Sequence, residues 1–201
     1  SHEEIKNIDR LVDIIYDEEI TFWDSAPGAL SQIMPTILEQ NSIGRVGKLR
    51  LVFMSGDWIP LPIADELKSC FNNIEVIGLG GATEAVIWSN HYPIGEIDAN
   101  WLSIPYGKPI WNACYYVLDT NLNPCPIGVE GDLYIGGKVL AKEYKNALEL
   151  TASKFIPSPF IDGGRIYKTG DRARFYGDGN LEFRGRQDHQ VKIRGYRIEL
   201  G

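Results

Sequence analysis

The chain has 201 residues, 20 Lys or Arg against 27 Asp or Glu for a net charge of −7, and 44% hydrophobic with 23% charged residues, which excludes disorder and collagen-like repetition. That length allows one large or two small domains, since a chain of this size hides roughly 70% of its unfolded surface. The acidic balance argues against non-specific nucleic-acid binding; with no apolar run near membrane-spanning length and no basic-then-apolar N-terminus, the expectation is a cytoplasmic protein with no membrane contact.

Two periodicities alternate through the first half. Ile8, Leu11, Val12 and Ile15 fall at helical spacing, and the β-rich run Ile20 to Trp23 follows. Leu30, Ile33, Met34, Ile37 and Leu38 line a second helix with a kink expected at Pro35, and Leu49 to Met54 reads as a buried strand. The cycle repeats with a third helix carrying Ile63, Leu67 and Phe71 and a third strand from Ile74 to Leu79. Helices between buried strands imply right-handed crossovers and a parallel sheet with flanking helices, an α/β unit over residues 1–105.

The character changes near Pro105. Short strands over Cys114 to Leu118, Asp132 to Ile135, Ala173 to Tyr176 and Leu181 to Arg184 are separated by Gly, Pro, Asn and Asp clusters. They predict a small β-rich, distorted barrel-like subdomain over residues 106–187. A helix is expected at about Ala147 to Phe155, ended by Pro157. The clearest hairpin turns through Gly177-Asp178-Gly179-Asn180, residues that supply positive φ. From Arg165 to Arg197 there are nine Lys or Arg against four acids, which reads first as a solvated hairpin face. Cys70, Cys114 and Cys125 lack CxxC spacing, so neither a disulfide framework nor a zinc site is expected. The three histidines read as incidental polar residues.

Two segments could carry chemistry. Gly78-Leu79-Gly80-Gly81-Ala82-Thr83-Glu84 follows the third predicted strand, at the end of a parallel sheet where open α/β proteins place ligands. Its glycines permit close backbone approach, a Thr hydroxyl can donate to phosphate, and a Glu carboxylate can hold Mg2+ while substrate phosphates supply further oxygens. The bland alternative is a glycine-rich turn. Tyr167-Lys168-Thr169-Gly170-Asp171 precedes the hairpin and Gly185-Arg186-Gln187-Asp188 ends it, so a carboxylate and a guanidinium can meet at its base. That pair suits a ribose diol; the alternative is one surface salt bridge, worth ~0 to 1 kcal/mol.

In order and spacing these segments resemble the adenylation domain of nonribosomal peptide synthetases, within the acyl-adenylate-forming superfamily of acyl-CoA synthetases and luciferases. Gly78 to Glu84 matches the family's Asn-x-Tyr-Gly-Pro-Thr-Glu. Gly131 to Gly137, with Leu140 to Tyr144 and Thr151 to Phe155, matches its Gly-Glu-Leu stretch, and Tyr167 to Arg174 its Tyr-Arg-Thr-Gly-Asp motif. The most specific segment, Gly185 to Gly201, is close to the family consensus.

The resemblance implies ATP-dependent activation of an amino acid or related carboxylic acid, followed by thioester formation on the phosphopantetheine of a carrier protein, with an MbtH-like helper among the partners it brings in. Thr83 and Glu84 would be the catalytic pair, Glu84 ligating Mg2+ and Thr83 touching the α-phosphate. Asp171 would hold both ribose hydroxyls and Arg186 fix the ribose. Gly80, Gly81, Ala82 and Phe183 complete the expected ATP/AMP contacts, and Gly56, in the loop after the second strand, would lie under the adenine. Asp24, Phe53, Ser55, Leu79, Ile87 and Trp88 map onto the acyl pocket's wall, although core packing would also account for them. Asp24 would recognise a polar substituent of the substrate. Asp188 would be the hinge of a C-terminal lid beginning in residues 188–201, with the Gln190 to Gly195 strand swinging with it.

Two departures qualify the match. Gly80 stands where the family has an adenine-stacking tyrosine and Ala82 where it has proline, a variant associated with a subset that includes cysteine-activating domains; the resemblance therefore leaves the stacking group unassigned. The family's phosphate loop, its amine-pairing Asp and its catalytic Lys do not occur in this sequence, so a core fragment unable to adenylate alone is expected. An acyl-CoA ligase of the same superfamily and a non-catalytic docking remnant of an interrupted domain are the competing readings.

Overall fold

The computed structural model describes residues 7–98, 101, 103–187, 190–193 and 196–199, the last two segments by backbone alone. Two compact units emerge: residues 1–78, 93–104 and 192–198, and residues 79–92, 105–191 and 199–201.

In the first unit, α1 (Ile8–Asp17) begins where Asn7 caps it, its side-chain oxygen accepting from the Arg10 N–H at 3.0 Å. Strand β1 (Phe22–Ser25) leads into α2 (Pro27–Ser42), which starts on a proline whose missing N–H costs nothing there. Helix α2 runs through Pro35 as one element. Then come β2 (Leu51–Ser55), α3 (Pro62–Cys70) and β3 (Glu75–Gly80). Strands β1 and β2 pair in parallel, Phe22 opposite Leu51 and Asp24 opposite Phe53. The interior is apolar: Val12, Ile15, Leu30, Ile37, Leu49, Val52 and Leu67 are all buried, each such side chain stabilising by roughly 1.5–3 kcal/mol.

The expected parallel arrangement extends into a mixed sheet of order β1-β2-β3-β4-β5, because β4 (Asn90–Pro93) and β5 (Lys108–Pro109) pair antiparallel. The second unit is built on antiparallel β6 (Ala113–Leu118), β7 (Gly131–Gly137), β9 (Arg165–Phe175) and β10 (Leu181–Arg186), in the order β10-β9-β7-β6. Short α4 (Leu148–Lys154) runs into β8 (Phe155–Pro157), which pairs with β9. Tyr115, Val117, Leu133, Ile135, Ala173 and Leu181 form its core. Strands β11 (Gln190–Ile193) and β12 (Tyr196–Glu199) make a separate two-stranded sheet. Among the described residues no helix is long and apolar enough to cross a membrane, and the three cysteines are free thiols.

Candidate active site

The motif after β3 closes on itself as a compact loop. The Ser89 N–H donates to the Gly80 carbonyl at 2.8 Å and the Ile87 N–H to the Ala82 carbonyl at 3.2 Å. Gly81 has a φ of +146°, and a Cβ there would fall 2.6 Å from the Ile87 carbonyl oxygen, so only glycine fits this crossing. Thr83 to Ala85 form one tight helical turn, after which Val86 and Ile87 take φ of +61° and +66°. Left-handed backbone at two β-branched residues costs about 1–3 kcal/mol each, a strain typical of functional sites.

That turn leaves the Thr83 side chain exposed and buries Glu84, which is 5% exposed. The Tyr144 hydroxyl donates to Glu84 Oε1 at 2.7 Å, and the Ala141 N–H donates to the Glu84 carbonyl at 2.8 Å. The Thr151 hydroxyl in turn accepts from the Tyr144 N–H at 3.0 Å. Tyr167, also buried, is pushed far above the usual phenol range, chiefly by burial and then by Tyr144 and Glu84. A buried carboxylate oriented by a tyrosine hydroxyl is chemically suited to hold a hard cation. Among the described residues no group of three or more His, Cys, Asp or Glu gathers to hold a metal. A single carboxylate suits Mg2+, which takes one or two carboxylates with substrate phosphates and water completing its shell.

The second half of the site is the base of the β9–β10 hairpin. Arg186 lies opposite Asp171 in the ladder, and its Nη1 donates to Asp171 Oδ1 at 2.6 Å while Nη2 donates to the Thr169 carbonyl at 3.1 Å. The two side chains are 16% and 14% exposed, which holds the pair rigidly yet leaves it reachable. Thr169 is buried; its hydroxyl donates to the Leu133 carbonyl at 2.7 Å and accepts from the Asp171 N–H at 3.0 Å.

One residue joins the two halves. The Gly81 N–H donates to the Tyr106 hydroxyl at 3.1 Å, and the same hydroxyl is held far above the usual phenol range by burial, by Tyr115 and by the Asp171 carboxylate, with Arg186 acting in the opposite sense. Tyr106 and Phe183 pack with ring centroids 5.9 Å apart. Glycine loop, sugar-type carboxylate and guanidinium therefore belong to one unit. Neither Tyr106 nor Tyr144 was singled out from the sequence as a candidate site residue. The adjoining Pro105 and Gly107 read as a boundary, and Tyr144 lies 60 residues from its carboxylate partner.

The remaining candidates divide between the units. Asp24 on β1 sits opposite Phe53 on β2, and burial raises its carboxyl above the usual range. The Phe53 ring meets Phe22 edge-on at 5.1 Å. Ser55 ends β2 and Gly56 follows it with φ +89°. Leu79, Ile87 and Trp88 belong to the second unit, Ile87 being exposed. Asp188 lies outside the described residues.

Several known proteins resemble this chain. The family described as AMP-binding enzyme matches residues 2–145. The chain is 49% identical over 184 residues to bacitracin synthase 1 of Bacillus licheniformis, covering 92% of this chain and 3% of that protein. It is 41% identical over 202 residues to pyochelin synthetase PchE of Pseudomonas aeruginosa, covering 100% of this chain and 14% of that protein. The nonribosomal peptide synthetase FmoA3, in a form bound to alpha-methyl-L-serine-AMP, superposes with a TM-score of 0.83 at 38% identity, over 90% of this chain and 20% of that one. The chain thus spans 3% and 14% of the lengths of these two curated relatives.

Proposed function

The chain belongs to the AMP-binding enzyme family, and from that premise we propose that it supplies the nucleotide-gripping core of a nonribosomal peptide synthetase adenylation domain. The reaction joins ATP and an amino acid or related carboxylic acid into an acyl-adenylate with release of pyrophosphate, and the acyl group then passes to the phosphopantetheine thiol of a carrier protein. The observation that carries this reading is Tyr106, whose hydroxyl accepts from the Gly81 loop and whose ring packs on Phe183 of β10, the strand that sets Arg186 opposite Asp171. Two relatives are named a bacitracin synthase and a pyochelin synthetase, and the FmoA3 structure is a form bound to alpha-methyl-L-serine-AMP.

Each residue then has a physical task. Asp171 would accept from a ribose diol, and Arg186, donating to its Oδ1, would fix that carboxylate's direction. Thr83 presents its hydroxyl at the exposed side of the loop, where the α-phosphate would lie. Bound Mg2+ would offset the negative charge that repels an incoming carboxylate from a triphosphate. Glu84 would hold that cation, its carboxylate oriented by the Tyr144 hydroxyl. Of the residues the resemblance assigns to contact with the acid, Asp24, Phe53 and Ser55 belong to the first unit and Leu79, Ile87 and Trp88 to the second, and Asp24 would read a polar substituent. Asp188 would serve as the lid hinge, Gly56 as the floor beneath the base, and an MbtH-like helper as a further partner.

The test is AMP binding by calorimetry on the full-length protein. Wild type should prefer AMP over 2′-deoxyadenosine monophosphate. Asp171→Ala should weaken AMP about 10- to 100-fold and erase that preference, since a hydrogen bond to a charged group contributes about 1.5–3 kcal/mol. Equal AMP affinity in wild type and variant would sink the reading.

A further inference from the structure

Resting on that reading of the site, we propose that Tyr106 supplies the aromatic face on which the nucleobase stacks, and that residue 80 is glycine in order to admit the Tyr106 ring. Gly80 is buried, and a Cβ built on it would fall 2.7 Å from Tyr106 Cζ and 2.7 Å from Asn90 Oδ1. The volume that any side chain at position 80 would enter is already filled by a ring from the segment that precedes β5.

Tyr106 is fixed at both ends. Its backbone N–H donates to the Leu181 carbonyl at 2.7 Å, and the Leu181 N–H returns a bond to the Gly107 carbonyl at 2.8 Å, which ties the residue to the start of β10. Its hydroxyl accepts from the Gly81 N–H at 3.1 Å. Between these anchors the ring leans on Phe183, 5.9 Å away and tilted by 31°, and on Tyr115, 6.4 Å away and tilted by 33°. The three rings differ in what they can offer. Tyr115 is buried and spends its hydroxyl on Ser89 at 2.6 Å, whereas Tyr106 and Phe183 stay partly exposed. Phe183, on which the Tyr106 ring leans, lies on β10, the strand whose Arg186 faces Asp171 on β9, so the proposed sugar-binding pair and this surface share one hairpin. A nucleoside whose ribose sits on Asp171 has its base within reach of that aromatic surface. A ring held at both ends loses little further freedom when a base settles on it.

The full-length protein should be compared as wild type, Tyr106→Phe and Tyr106→Leu, by calorimetry with AMP and by fluorescence of 2-aminopurine riboside monophosphate, an adenine analogue quenched on stacking. Stacking on an aromatic side chain contributes about 1–3 kcal/mol per base, so Tyr106→Leu should weaken AMP roughly 5- to 100-fold. Tyr106→Phe keeps the ring and should retain AMP affinity within about threefold, the scale of one modest neutral hydrogen bond, with the analogue still quenched. Relief of quenching in the leucine variant, with melting temperature maintained, supports the stacking role. AMP affinity unchanged in Tyr106→Leu overturns the proposal, as does an equal loss in the phenylalanine and leucine variants. Should the leucine variant not fold, the analogue bound to wild type and Tyr106→Phe decides alone: quenching supports the proposal and full brightness overturns it. Wild-type protein that does not bind AMP would instead remove the functional reading itself. AMP binding that depends on Asp171 and ignores Tyr106 removes only this inference.

Discussion

The two units differ most in what they bury. In the first, the described interior is apolar and charge stays outside, as where Arg45 reaches Asp13 at 2.9 Å and stacks over Tyr16. Every polar or charged residue that the structure records as buried, namely Glu84, Ser89, Asn90, Thr169 and Glu182, lies in the second unit. Burying such groups is costly unless each finds a partner. Glu84 has Tyr144, Ser89 has Tyr115, Thr169 has the Leu133 carbonyl, and Glu182 has Arg174 and Arg184. The contrast separates a unit selected for packing from one in which stability has been traded for a fixed arrangement of polar atoms.

Three substitutions would sharpen or break that contrast. The largest effect is expected for Glu84→Ala in the full-length protein, followed by ATP–pyrophosphate exchange over a panel of amino acids. Metal-borne charge stabilisation amounts to several kcal/mol, so exchange should fall by about a hundredfold or more. Activity near wild type would show that the buried carboxylate serves packing alone. Next comes Leu67→Ala in the first unit, fully buried on α3. It should cost about 2–5 kcal/mol of stability in denaturant unfolding, while the folded protein binds AMP as before. A change in AMP affinity would break the division of labour. The smallest effect is expected at Asn90, where neither side-chain polar atom has a hydrogen-bond partner among the described residues. Replacing an unsatisfied amide with an apolar group of similar size should be neutral or stabilising by about 1 kcal/mol. A melting temperature several degrees lower in Asn90→Leu would mean that the amide supports the fold.

Much of this was legible from the chain alone, for identifiable reasons. Apolar spacing located α1, α2, α3, β2 and β3, because each of these buries part of its surface, whereas β1 buries no residue and lies two residues later than the run from Ile20 to Trp23 suggests. The Asp178-Gly179-Asn180 turn was readable since Gly179 takes φ +82° and Asp178 accepts from the Asn180 N–H at 2.9 Å. Strand β9 was harder. It runs from Arg165 to Phe175 and absorbs the Tyr167 to Asp171 motif, but Gly170, at φ +82°, interrupts the alternation that would reveal it. Of the candidate site, Glu84, Asp171 and Arg186 were visible as motif members, and the structure gives each a fixed partner. Tyr106 and Asn90 were not, because a ring that fills the space above a glycine on another strand leaves no local pattern.

The irregularity in the β9–β10 ladder carries a last lesson. Phe183 faces Ala173 and Gly185 faces Arg172, so Arg184 is a surplus residue, and the slip brings Arg186 rather than Gly185 opposite Asp171. Side chains alternate faces along a strand, so one extra position inverts everything after it. The guanidinium's placement is therefore written in arithmetic as much as in chemistry. A hairpin one residue shorter could keep Asp171, Phe183 and Arg186 by name and still disassemble their partnership, whereas the exposed Asp178-Gly179 tip can vary in length without disturbing the count.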